Sequence, residues 1–141
     1  MTDEPVRVVF HLQQDPRLIA VLRSAVQFQA LQAGLETEAT GQLATAAEDV
    51  CRETISQLEG EGSGLDVTLE TFLDRIEIAI HCRGQSMPAA GLETFVFSGT
   101  DAGGPCGLNG LELLSRVDRI LYNTENGVAR TTLVKYLPSR R

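Results

Sequence analysis

The sequence predicts a two-layer α/β sandwich, in which a mixed, mostly antiparallel sheet carries helices on one face. Two observations support this class: several segments alternate apolar and polar residues, as half-buried strands do, and others repeat apolar residues every three or four positions, as amphipathic helices do. In chain order these segments read β-α-α-β-β-lid-α-β-β, and short connections between sequential strands favour antiparallel pairing. With 141 residues, we expect 1–141 to fold as a single domain.

The first strand and the first helix are predicted from local signals. Residues 6–13, VRVVFHLQ, place alternate apolar residues on one face and predict a strand. Asp15 followed by Pro16 predicts a helix start, because aspartate is a favoured N-cap and proline fits the first helical position. Apolar residues then recur at helical spacing as far as Gly34, which predicts the C-cap.

The middle of the chain predicts a second helix and a hairpin. The helix is expected over 41–58, after the polar link ETEAT, and the glycine-rich run EGEGSG ends it. Residues 66–72 and 75–81 are strand-like runs separated by two residues, which predicts an antiparallel pair. The sheet therefore continues beyond the helices.

The segment 85–107 has a weak pattern, with five glycines and two prolines, and we expect it to be a lid or binding loop. A third helix is predicted over 107–118. Two final strands, over 119–124 and 129–137, flank an Asn-Gly pair, which suits the positive φ angles of a type I′ hairpin turn.

The charge balance and the cysteines exclude several classes of function. A net charge of −7 argues against a nucleic-acid ligand, whose affinity comes from lysine and arginine contacts to phosphate, and suits a basic protein partner. The sequence has neither a signal-peptide pattern nor an apolar run of about 18 residues, so we expect a cytoplasmic protein outside the membrane. Cys51, Cys82 and Cys106 lack metal-ligand spacing and favour free thiols over disulfides or a zinc site.

Three sequence features suit particular chemistries. In LATAAEDVCRETI, Asp49 and Glu53 lie four residues apart on one helical face, where two carboxylates suit a hard cation. In IAIHCRGQSMP, a strand runs into a loop with Cys82 and Gly84. In GGPCGLNGLELL, glycines precede a helix, an arrangement that presents backbone N–H groups to a phosphate. Each feature also has an ordinary explanation: a solvated acidic face, a turn and a connecting loop.

Together, the order of elements and these motifs resemble the bacterial anti-sigma-factor serine kinases, a branch of the histidine-kinase-type (GHKL) ATPase fold. The resemblance extends from the strand at Val6 to Leu137. It implies a catalytic acid at Asp49, or at Glu48 if the register lies one residue earlier. It also places Glu53 where the family has the asparagine that holds Mg²⁺ against ATP, so Glu53 is the implied metal position.

The same resemblance implies a nucleotide pocket that is only partly kept. The implied nucleotide-binding residues are Glu53, Cys82, Gly84, Ser86, Gly107, Gly110, Leu111 and Thr131. Cys82 replaces the aspartate that binds adenine, and Ser86 replaces a glycine, whereas Gly84 is kept. A thiol is a weak hydrogen-bond acceptor, so the loss of the carboxylate weakens adenine binding by about 1–3 kcal/mol. We therefore expect ATP and Mg²⁺ to bind weakly.

The resemblance implies a regulatory protein that binds a sigma factor or an antagonist protein, often as a homodimer. Because the Mg²⁺ ligand and the adenine contact are both altered, we expect partner binding with a degenerate pocket rather than catalysis. The alternative is an active ATP-dependent serine/threonine-protein kinase, since Asp49 and Gly84 are kept. A second alternative is a thiol switch, in which Cys82 and Cys106 flank one pocket and pair on oxidation.

Overall fold

The computed structural model describes residues 5–13, 15, 17–57, 64–83, 110–125 and 128–138. The elements within these ranges are β1 (Val6–Gln13), α1 (Leu18–Gln32), α2 (Thr37–Gln57), β2 (Gly64–Thr71), β3 (Arg75–Arg83), α3 (Gly110–Arg116), β4 (Arg119–Glu125) and β5 (Val128–Tyr136). The strands form one open sheet in the order β1-β2-β3-β5-β4. None of the helices in these ranges is long and apolar enough to cross a lipid bilayer.

Every strand pairing described in this sheet is antiparallel. The predicted two-layer α/β class is therefore confirmed, whereas the prediction of a mixed sheet is wrong for the described strands. The reason lies between β1 and β2, where two consecutive helices connect the strands. One helix between two strands returns the chain to the end of the sheet where the first strand began, so the second strand runs parallel to the first. Two helices return the chain to the end where the first strand finished, so the second strand runs antiparallel to it.

α1 begins at Leu18, later than the N-cap predicted at Asp15. Asp15 still organises the helix start, because its Oδ1 accepts a hydrogen bond from the backbone N–H of Arg17 at 3.0 Å and its carbonyl oxygen accepts one from Leu18 at 3.0 Å. The other end lies one residue before the prediction: the C-cap is Ala33, and Gly34 follows it with a φ of 96°, a conformation that side chains with a Cβ rarely adopt.

α2 begins at Thr37, inside the segment predicted to be a polar link. Leu35 and Thr40 are both buried, and the backbone N–H of Thr40 donates to the carbonyl oxygen of Glu36 at 2.8 Å. The acidic side chain of Glu38 lies in the first turn, where it interacts favourably with the helix dipole. These polar residues therefore extend the helix, because they suit an N-terminal turn that two buried side chains anchor.

The hydrophobic core lies between the helices and one face of the sheet. Its largest fully buried side chains are Ile19, Leu22, Val26, Leu43, Val50, Leu65, Leu69, Ile76, Ile78, Ile80, Leu113 and Leu133. The opposite face of β1 to β3 carries mostly polar and charged residues, among them Arg7, His11, Asp66, Glu70 and Glu77. A slip of one residue in strand register would place these charges in the core, so the alternation fixes the register.

Candidate functional site

The predicted site centres on α2, which packs over β2 and β3 on one side and against α3 on another. All three of its predicted acidic positions lie within two turns of this helix. Asp49 and Glu48 are partly buried, and Glu53 is buried, with 5% of its surface exposed. The three carboxylates therefore lie close to the body of the protein, and their partners decide what chemistry they can perform.

Asp49, the predicted catalytic acid, is held by an arginine from a distant part of the chain. Its Oδ2 accepts a hydrogen bond from Nη1 of Arg116, at the end of α3, with a separation of 2.6 Å. The exposed fractions of the two side chains are 28% for Asp49 and 22% for Arg116. Such charge-assisted contacts are short and strong, so one oxygen of the carboxylate is held by a guanidinium, and the role of Asp49 as a catalytic acid stays a prediction.

Glu48, the acid in the alternative register, binds two arginines. Nη1 of Arg23 on α1 donates to its Oε1 at 2.8 Å, and Nη2 of Arg52, one turn further along α2, donates to its Oε2 at 2.6 Å. Arg23 also donates to Oγ1 of Thr45 at 3.1 Å. Glu48 therefore ties α1 to α2 through Arg23, and its role as the alternative catalytic acid stays a prediction.

Glu53, the predicted magnesium position, follows Asp49 by one turn. Its backbone carbonyl oxygen accepts a hydrogen bond from Oγ of Ser56 at 2.6 Å, and the neighbouring Thr54 is buried with its hydroxyl donating to the Val50 carbonyl at 2.7 Å. Among the described residues, no group of three histidine, cysteine, aspartate or glutamate side chains is arranged to hold a metal ion. The role of Glu53 toward Mg²⁺ stays a prediction.

Two of the predicted nucleotide positions lie on neighbouring strands. Cys82 is near the end of β3, where its Cα pairs with Leu65 of β2. Thr131 on β5 pairs with Ile80 of β3 and is buried. The backbone at Cys82 and the side chain of Thr131 are therefore close together in the sheet, and a nucleotide pocket shared by them stays a prediction.

The remaining predicted positions contribute less. Gly110 and Leu111 form the first turn of α3. Gly84, Ser86 and Gly107 lie outside the described residues, as does the segment 85–107 that we predict to be a lid. The two glycine-rich motifs and the lid stay predictions.

Of the three cysteines, Cys51 is the one whose side chain lies among the described residues. Cys51 is free and buried in α2, and burial raises the pKa of its thiol to about 12. It is therefore protonated and unreactive at neutral pH, as expected of a structural cysteine. Cys106 lies outside the described residues, so the disulfide between Cys82 and Cys106 stays a prediction.

Sequence reasoning missed a polar cluster on the open face of the sheet. Nδ1 of His11 lies 2.7 Å from Oδ1 of Asp66, and Nε2 of His81 lies 3.5 Å from Oδ2 of the same carboxylate. The three residues form one row across β1, β2 and β3. Each lies on the polar side of an alternating strand, but only the pairing register brings them together, so the sequence pattern alone gives no signal for the cluster.

Comparison with protein-family models and with curated sequences identifies no relative. Models of known protein families give no match to this chain, and curated protein sequences give none either. The function is therefore inferred from the side chains themselves and from the resemblance seen in the sequence.

Proposed function

We propose that this chain is a regulatory protein that acts by binding a protein partner, on a scaffold resembling the GHKL-type anti-sigma serine kinases, with a degenerate nucleotide pocket. The observation that carries the proposal is the 2.6 Å contact between Asp49 and Arg116. Phosphoryl transfer to a serine requires a carboxylate that accepts the proton of the substrate hydroxyl. In this proposal neither acid serves as that base, because Asp49 accepts a hydrogen bond from Arg116 and the alternative acid, Glu48, accepts hydrogen bonds from Arg23 and Arg52.

Two further positions weaken nucleotide binding in this proposal. A cysteine at position 82 in place of an aspartate removes the strong acceptor for the adenine amino group. A glutamate at position 53 in place of an asparagine adds a negative charge on the phosphate side of the implied pocket, where it repels a triphosphate. Both changes favour a protein that keeps the fold of these kinases but has lost their phosphoryl-transfer activity.

The chemistry of the partner follows from the charge of the chain. A net charge of −7 favours rapid association with a basic protein through electrostatic steering and disfavours nucleic acid. A sigma factor or an antagonist protein is the class of partner that the resemblance implies, and the cytoplasm is the compartment where both act.

Thermal unfolding with and without Mg-ATP tests the proposal. We expect no shift of Tm for the native protein in millimolar Mg-ATP and a shift of about 10 °C for Cys82→Asp when the ligand reaches roughly 100 times its Kd, which corresponds to about 2.7 kcal/mol. Cys82→Ser is the matched control, since it removes the thiol without adding a carboxylate, and we expect it to behave like the native protein.

Two outcomes would contradict the proposal in different ways. A large Mg-ATP shift in the native protein, followed by transfer of phosphate to a serine of a partner protein, would establish the kinase alternative. No shift in either the native protein or Cys82→Asp would argue that the region around Cys82 is not a nucleotide pocket at all, and the resemblance would lose its main support.

A further inference from the structure

Two exposed arginines, Arg119 of β4 and Arg130 of β5, have no acidic partner. Neither side chain makes an ion pair or a hydrogen bond with any residue that the structure describes. The other basic side chains in the described part of the chain each contact a carboxylate: Arg7, Arg17, Arg23, Arg52, Arg75, Arg116 and Lys135. With 19 acidic residues against 12 basic ones, a shortage of carboxylates does not explain the two exceptions.

Both arginines lie on the open face of the sheet, beside an exposed leucine. Ile120 of β4 packs against the core, so Arg119 and Leu121 on either side of it lie on the opposite face. Arg130 pairs in register with Asn123, two residues beyond Leu121, so it lies on that face too. Alternate positions of a strand are about 7 Å apart, and the exposed fraction of Leu121 is 43%. Two positive charges therefore flank an apolar side chain.

The strand that carries Arg119 is at an edge. β4 ends the described sheet and pairs with β5 alone among its strands. The outer side of an edge strand has backbone N–H and C=O groups that another extended chain can pair with. Charged side chains at such an edge discourage pairing with most chains, and here both charges are positive. The edge is therefore suited to a chain that brings carboxylates to these two positions.

We propose that the edge of β4 binds a short extended segment of a partner protein, with residues in the order acid–x–apolar–x–acid. Paired with β4, this segment places one carboxylate beside Arg119 and its apolar side chain beside Leu121. The second carboxylate lies beside Asn123, two strand spacings or about 10 Å from the backbone of Arg130, a span that two long side chains cover between them. The order reads the same in both directions, so it fits a parallel or an antiparallel pairing.

The charge of the chain requires the acidic segment to be short. A net charge of −7 repels a strongly acidic protein at long range and attracts a basic one. A partner that is basic overall can still carry two carboxylates in one strand, and the unpaired guanidinium groups bind carboxylates at short range. The inference depends on β4 and β5, and not on Asp49 or a nucleotide pocket. It and the proposed function can therefore fail separately.

An NMR titration of the ¹⁵N-labelled full chain tests the site with a synthetic peptide. The probe is the acetylated and amidated heptapeptide Thr-Glu-Thr-Val-Thr-Glu-Thr, added to about 5 mM. We expect amide shifts centred on β4, with a Kd of roughly 1 mM. Two peptides are controls: Thr-Gln-Thr-Val-Thr-Gln-Thr lacks the charges, and Thr-Thr-Glu-Val-Glu-Thr-Thr has the acids at the wrong spacing. Both should bind at least about 5-fold more weakly.

Substitution of the arginines tests the charges. Arg119→Gln and Arg130→Gln should each raise the peptide Kd by about 2- to 5-fold, the effect of losing one exposed ion pair. Arg7→Gln is the matched control: it removes the same charge from the same face, but Arg7 is bound to Glu70 on the far side of the sheet, so the Kd should not change. Since neither Arg119 nor Arg130 has a described partner to lose, both variants should keep the native Tm to within about 2 °C.

N-methylation of the peptide tests the strand pairing. Alternate residues of an extended chain direct their N–H groups to the same side, so methyl groups on the Glu and Val amides or on the Thr amides, but not on both sets, should abolish binding. Binding that survives both modifications would move the peptide off the edge and overturn the proposal. So would the absence of shifts at about 5 mM, or a Kd that neither arginine substitution changes. Shifts of the β4 amides with protein concentration alone would assign the edge to a second copy of the chain instead.

Discussion

Replacing Asp49 by asparagine, Arg116 by glutamine, and both together measures the ion pair that joins α2 to α3. The two side chains meet at 2.6 Å although they lie 67 positions apart in the chain. Arg116 also makes other contacts, so its single substitution removes more than the pair. The double-mutant cycle subtracts those contacts and leaves the interaction between the two side chains.

The expected coupling energy is about 1–2 kcal/mol. Fully exposed pairs contribute about 0.2–1 kcal/mol, whereas breaking a buried pair costs about 3–5 kcal/mol. With exposed fractions of 28% and 22%, this pair lies between the two classes, and partial screening by solvent keeps it nearer the lower one. The double variant should therefore lose less stability than the sum of the single variants by that amount.

Urea unfolding at low and at high ionic strength provides the measurement. The pair of Arg7 and Glu70 on the open face of the sheet is the control, since its 2.9 Å contact involves an arginine side chain that is 62% exposed. We expect that pair to couple by at most about 0.5 kcal/mol and to lose most of this in 1 M salt. The Asp49 pair should keep more than half of its coupling.

A coupling below about 0.3 kcal/mol for Asp49 and Arg116 would refute the reasoning, because the carboxylate would then be available to a ligand or a substrate. The kinase alternative would gain from that result. A coupling in the expected range supports a structural carboxylate, which is the premise of the proposed function.

Three further outcomes follow from individual residues. The thiol of Cys51 stabilises the fold fully below pH 9 and progressively less above it, because the unfolded thiol ionises near pH 9 whereas the buried one, with a pKa raised to about 12, does not. Between pH 8 and 10, the native protein should lose about 1.4 kcal/mol more of its free energy of unfolding than Cys51→Ala does in urea titrations, and equal losses would contradict this. Asp66→Asn should speed amide exchange in β1 more than in β5, since His11 and His81 both lose their shared carboxylate, and uniform exchange would argue against the cluster. Gly34→Ala should lower the free energy of unfolding by about 1–2 kcal/mol, because Gly34 has a positive φ. Gly41→Ala in α2, where an added Cβ meets nothing within 4 Å, should raise the free energy of unfolding by up to about 1 kcal/mol. Similar Tm values for the two variants would exclude this account.

The elements of the fold were predictable where the pattern is local. Local patterns in the sequence predict β1 from its alternation of apolar and polar residues, the hairpin of β2 and β3, and the end of α1 from its glycine. The start of α2 was not, because its polar first turn has the composition of a loop and depends on burial of Leu35 and Thr40. The antiparallel arrangement of all the described strands was missed for a related reason: strand direction depends on how two helices pack together, which composition does not express.

The candidate site was predictable only in part. The sequence locates Asp49, Glu48 and Glu53 on one helix, and the structure places them there. The sequence gives no indication that Arg116 contacts Asp49 or that Arg23 contacts Glu48, because ion pairs between different elements depend on distances that tertiary packing sets. The row of His11, Asp66 and His81 depends on strand register in the same way.

The order of strands in the sheet has a consequence for how the chain folds. The β2–β3 and β4–β5 pairs join neighbours in sequence and form with short loops, whereas β1 pairs with β2 across two helices, from Val6 opposite Thr71 to Gln13 opposite Gly64. Closing a long loop costs chain entropy before any contact forms, so the pairing of β1 with β2 and that of β3 with β5 both carry a cost that the two hairpins avoid. The contacts of His11 with Asp66 and of Arg7 with Glu70 therefore hold an edge strand that only a long connection joins to the rest of the sheet.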